Sequence, residues 1–129
     1  METLAVVQFD QPDLRRVIDA LVPGELDDLQ FGVIGFDRDT TVQVYNDHET
    51  EAAGLGRGRV VGRPFFSEVA PCMNNYLVAQ RFKDAHASSA ALDETIDYVL
   101  TLRMRPTRVK LRLLSSPDSP LSYVLVLRT

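Results

Sequence analysis

One residue in this 129-residue chain carries a thiol, Cys72. It closes the run Gly62-Arg-Pro-Phe-Phe-Ser-Glu-Val-Ala-Pro-Cys72, in which Phe65 and Phe66 lie in a short helical run expected over Arg63 to Val69 and Pro71 fixes the backbone just ahead of the sulfur. The thiolate is the nucleophilic form of cysteine, and a thiol near the start of a helix has a physical reason to be acidic. The competing role is a small buried hydrophobe, the usual state of an unpaired cysteine. Tyr45 and Glu49 form the second candidate set. Tyr45 ends a strand pattern and Glu49 lies one turn into a helix, so both side chains can aim at one point. Taken alone, a packed tyrosine and an exposed glutamate are the default for such residues.

Other chemistry finds little support. His48 stands beside Glu49 without a second histidine at metal-ligand spacing, and His86 closes a helix, where a surface histidine is favourable. A Cys72–His86 hydrolase pair lacks an orienting carboxylate and a nucleophile elbow. No phosphate-binding glycine loop, dinucleotide fingerprint or paired-cysteine motif occurs, so neither a catalytic nor a metal site is expected. An apolar fraction of 45% and a charged fraction of 25% suit a soluble globular protein. No run is long enough to span a membrane, and no basic leader opens the chain, so a cytoplasmic protein without membrane association is expected. The single cysteine excludes an intrachain disulfide and fits a reducing compartment. A net charge of −4 argues against a nucleic-acid partner. Arg103, Arg105, Arg108, Lys110 and Arg112 read as a solvated strand face.

The elements that must position these residues follow from periodicity. Asp10 as N-cap and Pro12 in the first turn start a helix whose Leu14, Val17, Ile18 and Leu21 recur at helical spacing, and Pro23-Gly24 ends it. Its exposed charges suggest a lid. Leu29 to Phe36 and Val42 to Tyr45 form a hairpin around Asp37-Arg-Asp-Thr40. Asn46 caps a short helix over Asp47 to Ala53, with Gly54 as its terminator. A longer helix is expected from Tyr76 to Ala87. Three strands follow, over Thr95 to Met104, Val109 to Leu113 and Tyr123 to Leu127. Strands separated by a block of helices predict an α+β fold, an antiparallel five-stranded sheet with helices on one side.

With Ala70-Pro71-Cys72 and Phe65-Phe66 added to Tyr45 and Glu49, the chain resembles the photoactive yellow protein (xanthopsin) family of PAS-domain blue-light sensors. The resemblance runs from Phe31-Gly-Val-Ile through Val-Gln-Val-Tyr-Asn46, the Val61 to Cys72 run, Met104-Arg-Pro-Thr-Arg-Val-Lys110 and Ser122-Tyr-Val. It implies a PAS fold over residues 1–129, with an N-terminal cap over 1–28 and a PAS core over 29–129. It also implies p-coumaric (4-hydroxycinnamic) acid bound covalently as a thioester on Cys72, with the Cys72 N–H holding the thioester carbonyl. The phenol would be ionised in the dark, with Tyr45 and a neutral Glu49 donating hydrogen bonds to it, since a phenolate out of water needs strong donors. Phe65, Val69, Ala70, Tyr98 and Leu100 would line the pocket, and Met104 would assist return to the dark state. Light would drive trans-cis isomerisation, proton transfer from Glu49 and partial unfolding of residues 10 to 21, because an unpaired buried charge is costly.

Ala53 stands where the family commonly has a hydroxyl residue, Leu55 where it commonly has an arginine lid, and Leu100 and Leu102 replace aromatics. These departures bear on colour and cycle speed. The implied partners are the small-molecule chromophore and an unidentified downstream signalling protein; a dark-state monomer is expected because no long apolar edge shows. The rival expectation is a PAS-type ligand-sensing or interaction module without photochemistry. A cysteine-dependent acyl enzyme is a third.

Overall fold

A computed structural model of the protein describes residues 7–101 and 106–128. Five strands, β1 (Gly32–Phe36), β2 (Val42–Tyr45), β3 (Leu92–Leu100), β4 (Thr107–Ser115) and β5 (Ser122–Arg128), form one sheet in the order β2-β1-β5-β4-β3. Every neighbouring pair is antiparallel. The helices are α1 (Leu14–Ala20), α2 (Pro23–Asp27), α3 (Asp47–Ala53) and α4 (Ala79–Ala87). Between α3 and α4 the chain makes three short non-α turns, among them a π-helical turn over Phe65–Val69 and a 3-10 turn over Pro71–Met73.

Side chains alternate across a strand, and this sheet buries both of its faces. On β5, Val124 and Val126 enter one core with Ile34, Phe36, Tyr45, Leu111 and Leu113. Phe65, Phe66, Val69, Ala70 and Phe82 from the connecting segment and α4 cover that face. Phe36 stacks on Phe65 with ring centroids 5.2 Å apart and meets Phe82 edge-on at 5.1 Å, arrangements that favour aromatic pairs. The intervening Tyr123 and Leu125 enter the second core with Phe9, Leu14, Ile18, Leu26, Phe31, Val33 and Leu114. Helices therefore cover both sides of the sheet, where the strand-and-helix pattern predicted one. The order of elements conceals this, because the N-terminal helices reach the far face before the first strand begins.

The N-terminal segment differs from the expected lid in three respects. The N-cap of α1 is Asp13, in a left-handed conformation with φ 54°, not Asp10. Pro23 does not end the helical region but opens α2, where the missing N–H is harmless, and the Glu25 carboxylate accepts from the Val22 N–H at 3.0 Å. Leu14 and Ile18 are fully buried, so α1 closes a core instead of resting on it. Two polar ties reinforce it. Arg112, which is buried and not part of a solvated face, donates to the carbonyls of Phe9 at 2.9 Å and Gln11 at 2.7 Å while pairing with Asp93 at 2.8 Å. Asp19 accepts from the Tyr123 hydroxyl at 2.6 Å and from Ser119 at 2.9 Å. Arg103 and Arg105 lie outside the described residues; Lys110 is exposed and pairs with Asp97.

The second hairpin strand, the turn and α3 fall where the spacing predicted, while β1 begins at Gly32, three residues after the expected Leu29. Asn46 caps α3 by accepting from the Glu49 N–H at 3.2 Å, and Gly54 ends it at φ 73°. The long helix starts at Ala79, three residues later than Tyr76, because Asn75 holds the preceding turn by accepting from the N–H groups of Leu77 and Val78.

Candidate functional site

The sequence places Tyr45 at the end of β2 with its side chain on the face of the first core. There it packs in the same apolar cluster as Cys72, Leu55, Phe65, Val69, Ala70, Tyr98 and Leu100. Most of the residues expected to line a pocket are thus brought together. Ala53 is half-buried at the end of α3, and Met104 and Leu102 lie outside the described residues. Tyr45 is buried at the end of β2. Burial pushes the phenol well above its ordinary value, the charge of Glu49 adds to this, and Arg128 partly opposes it.

Cys72 is half-buried within the one-turn 3-10 helix. Because α4 begins well beyond it, at Ala79, no long-helix N-terminus acts on the thiol. Its main chain is held instead. Both the Tyr98 hydroxyl and Asn75 Nδ2 donate to the Cys72 carbonyl, and Asn75 Nδ2 also donates to the Tyr98 oxygen at 2.6 Å. The Cys72 carbonyl therefore points at β3. Asn75 is a site residue that spacing could not reveal, since its partners are 3 and 23 residues away.

Glu49 is buried on the inner side of α3. Three features put it there. Asn46 fixes the start of α3 by accepting from the Val33 N–H at 2.9 Å and donating to the carbonyls of Leu26 and Phe31. Arg57 ties the segment after α3 back to the Tyr45 carbonyl at 2.7 Å and to Asp27 and Asp47. Gly32 leaves the necessary space: a Cβ there would lie 2.0 Å from Glu49 Oε1. Expected as a neutral donor, the Glu49 side chain here accepts two hydrogen bonds, from Arg128 Nη1 at 2.8 Å and Nη2 at 2.9 Å. The fork is the bidentate geometry that a guanidinium and a carboxylate share. Arg128 extends the alternation of Val124 and Val126 by one step, so it belongs to the same face as Tyr45. Nothing in a terminal Leu-Arg-Thr marked it beforehand.

The histidines stay apart from this cluster. His86 Nε2 lies 3.5 Å from the hydroxyls of Ser115 and Ser122, and His48 Nδ1 is buried without a partner among the described residues. Among the described residues no group of histidine, cysteine and carboxylate side chains could hold a metal, and no helix is long and apolar enough to cross a membrane.

A five-stranded antiparallel sheet in the order β2-β1-β5-β4-β3 with flanking helices is a PAS-type fold. The PAS domain of the Cronobacter turicensis RpfR quorum-sensing receptor, solved in complex with BDSF, superposes on 78% of this chain and 95% of its own with a TM-score of 0.60 at 13% identity, which shows the fold alone. The photoactive yellow protein domain of the sensor histidine kinase Ppr from Rhodospirillum centenum matches more fully, with a TM-score of 0.80 and 34% identity over 88% of this chain and 99% of that domain. The photoactive yellow protein of Rhodothalassium salexigens is 31% identical over 110 residues, 85% of this chain and 87% of that protein. No family model matches the sequence. The chain belongs to the photoactive yellow protein family, a family of PAS-type photoreceptors.

Proposed function

We propose that the protein is a blue-light receptor that carries p-coumaric acid as a thioester on Cys72. The observation that carries this reading is the placement of Cys72 in one apolar cluster with the buried Tyr45. The residues suit such a group. A thiol can be acylated by an activated acyl donor, an apolar cluster receives an aromatic ring, and the Tyr45 hydroxyl can stabilise an anionic oxygen out of water. The attached group would supply absorption of blue light and a double bond that isomerises. The chain supplies the rest. Asn75 and Tyr98 hold the Cys72 main-chain carbonyl and so steady the residue that would carry the tether. Tyr45 would donate to the phenol oxygen, and Glu49 would hold or release a proton beside it. A carboxylate left without its partner inside the protein is costly, and this cost would be relieved by opening the structure. The segment expected to open, residues 10 to 21, is tied to the sheet by Arg112 and Asp19, so opening must break those bonds. The whole chain would act as one photosensory unit, a cap over 1–28 on a core over 29–129, addressing an intracellular signalling partner.

The test is intact-mass spectrometry after exposure to an activated coumaroyl donor. A hydroxycinnamoyl adduct that is absent from Cys72→Ala, with a visible band that bleaches and recovers under blue light, is the expected result. Absence of an adduct on the unmodified chain sinks the reading. The Glu49–Arg128 pair favours one alternative, a PAS module that senses a ligand without photochemistry, because an ion pair occupies the place of a neutral donor. That module would bind hydroxycinnamate reversibly and show no light-dependent change.

A further inference from the structure

Among the described residues the Glu49–Arg128 ion pair is the most deeply buried, with Glu49 side-chain exposure of 3% and Arg128 of 21%. Among the described residues, the ionisable groups bearing on it are Tyr45 from β2 and the two partners themselves. Across the ladder Arg128 faces Val109 of β4, and on β1 the residue under the carboxylate is Gly32, so neither neighbouring strand brings a charge at those positions.

We propose that Arg128 is the resident cation of the pocket, and that its fork with Glu49 makes the pocket electrically neutral before any acyl phenol is attached. This deepens the photoreceptor reading and rests on it for the loaded state. The charge balance is simple. Glu49 as carboxylate and Arg128 as guanidinium sum to zero. Thioester formation on Cys72 releases the thiol proton with the leaving group and adds a neutral acyl phenol, which arrives with its own hydroxyl proton. The loaded pocket then holds one cation, one negative charge and one proton to be divided between the Glu49 oxygen and the phenol oxygen. With that proton on Glu49, the carboxyl and Tyr45 donate to the phenol oxygen and Arg128 balances the anion. With the proton on the phenol, the fork seen here persists. Arg128 therefore allows one proton to serve both sites. Without it, the one anionic oxygen would be buried with no countercharge, and the pocket would take a second proton from solvent.

Arg128 acts through Glu49 and is a positioning residue. The test compares unmodified protein, Arg128→Gln, Arg128→Lys and Arg128→Gln/Glu49→Gln. In the apoprotein, infrared difference spectra should show a protonated carboxyl band at neutral pH in Arg128→Gln that is missing from the double variant and from Arg128→Lys. In the loaded protein, the phenol-to-phenolate transition of Arg128→Gln should move to higher pH, by about tenfold or more in proton concentration, and Arg128→Lys should restore it. A simple packing role would move neither readout. Arg128→Gln without a protonated carboxyl in the apoprotein, or with an unmoved absorbance transition, overturns the proposal, and so does Arg128→Lys behaving as Arg128→Gln. Should no adduct form on the unmodified chain, the photoreceptor reading fails, while the apoprotein infrared comparison still decides the role of Arg128.

Discussion

Cys72, Tyr45 and Glu49 were visible in the sequence as residue types at suggestive spacings, and the fold gathers them on one face of one sheet. What the spacing could not supply was the company each keeps. Asn75 and Tyr98 on the Cys72 carbonyl, and Arg128 on Glu49, are contacts across 3 to 79 residues. Tertiary hydrogen bonds of this kind leave no periodic trace. The tyrosines give a prediction at this scale. Burial raises Tyr45, and burial with the Asp19 hydrogen bond raises Tyr123. Above the ordinary phenol value of about 10, the unfolded chain loses these two protons while the folded chain keeps them. The unfolded state then binds fewer protons, so stability falls as pH rises, by about 1.4 kcal/mol per pH unit for each tyrosine. Denaturant midpoints measured from neutral to strongly alkaline pH should show this decline, and Tyr123→Phe or Tyr45→Phe should each remove part of its slope.

At the scale of elements, α3 and β1 depend on each other through Gly32. A methyl group at that position would collide with the Glu49 carboxylate, which is part of a buried ion pair and cannot move cheaply. Gly32→Ala should destabilise the fold by about 1–3 kcal/mol and should weaken the Glu49–Arg128 coupling in a double-mutant cycle. A stability unchanged in urea melts would show that α3 shifts freely. Asn46→Ala should cost about 1–3 kcal/mol, more than an ordinary cap, because it leaves the Val33 N–H and two carbonyls without partners. Asn46 was legible as a cap because Asn before an acidic turn is a local signal. Its bonds to β1 and α2 were not legible, and neither was α2, whose Pro23-Gly24 looks like a stop until Glu25 is seen to satisfy the N–H ahead of the proline. The helix from Ala79 began late for a related reason: Asn75 satisfies the turn before it, and competition between side chain and backbone is decided by geometry.

At the scale of the molecule, strand alternation revealed the sheet, but the second covered face was hidden. A short helix with charges resembles a lid until Leu14 and Ile18 are found against Leu125 and Tyr123 in one core. Arg112 was hidden among basic neighbours, since alternation alone assigns it to the face opposite Leu111 and Leu113 without saying that the N-terminal segment lies there. Arg112→Ala should leave the carbonyls of Phe9 and Gln11 short of a donor, cost about 1–3 kcal/mol, and speed cleavage in residues 7 to 21 under limited proteolysis. Equal cleavage rates would mean that the apolar contacts alone hold the cap.

The central strand β5 carries a last consequence. Its odd-numbered residues Tyr123 and Leu125 touch the cap, while Val124, Val126 and Arg128 look toward the thiol and the tyrosine. A tug on Arg128 is thus a tug on a ribbon one peptide thick, with the thiol's core on its front and the N-terminal helices on its back. If the proposed light reaction occurs in front, its effect has no loop to cross and no hinge to turn; it would arrive through the wall.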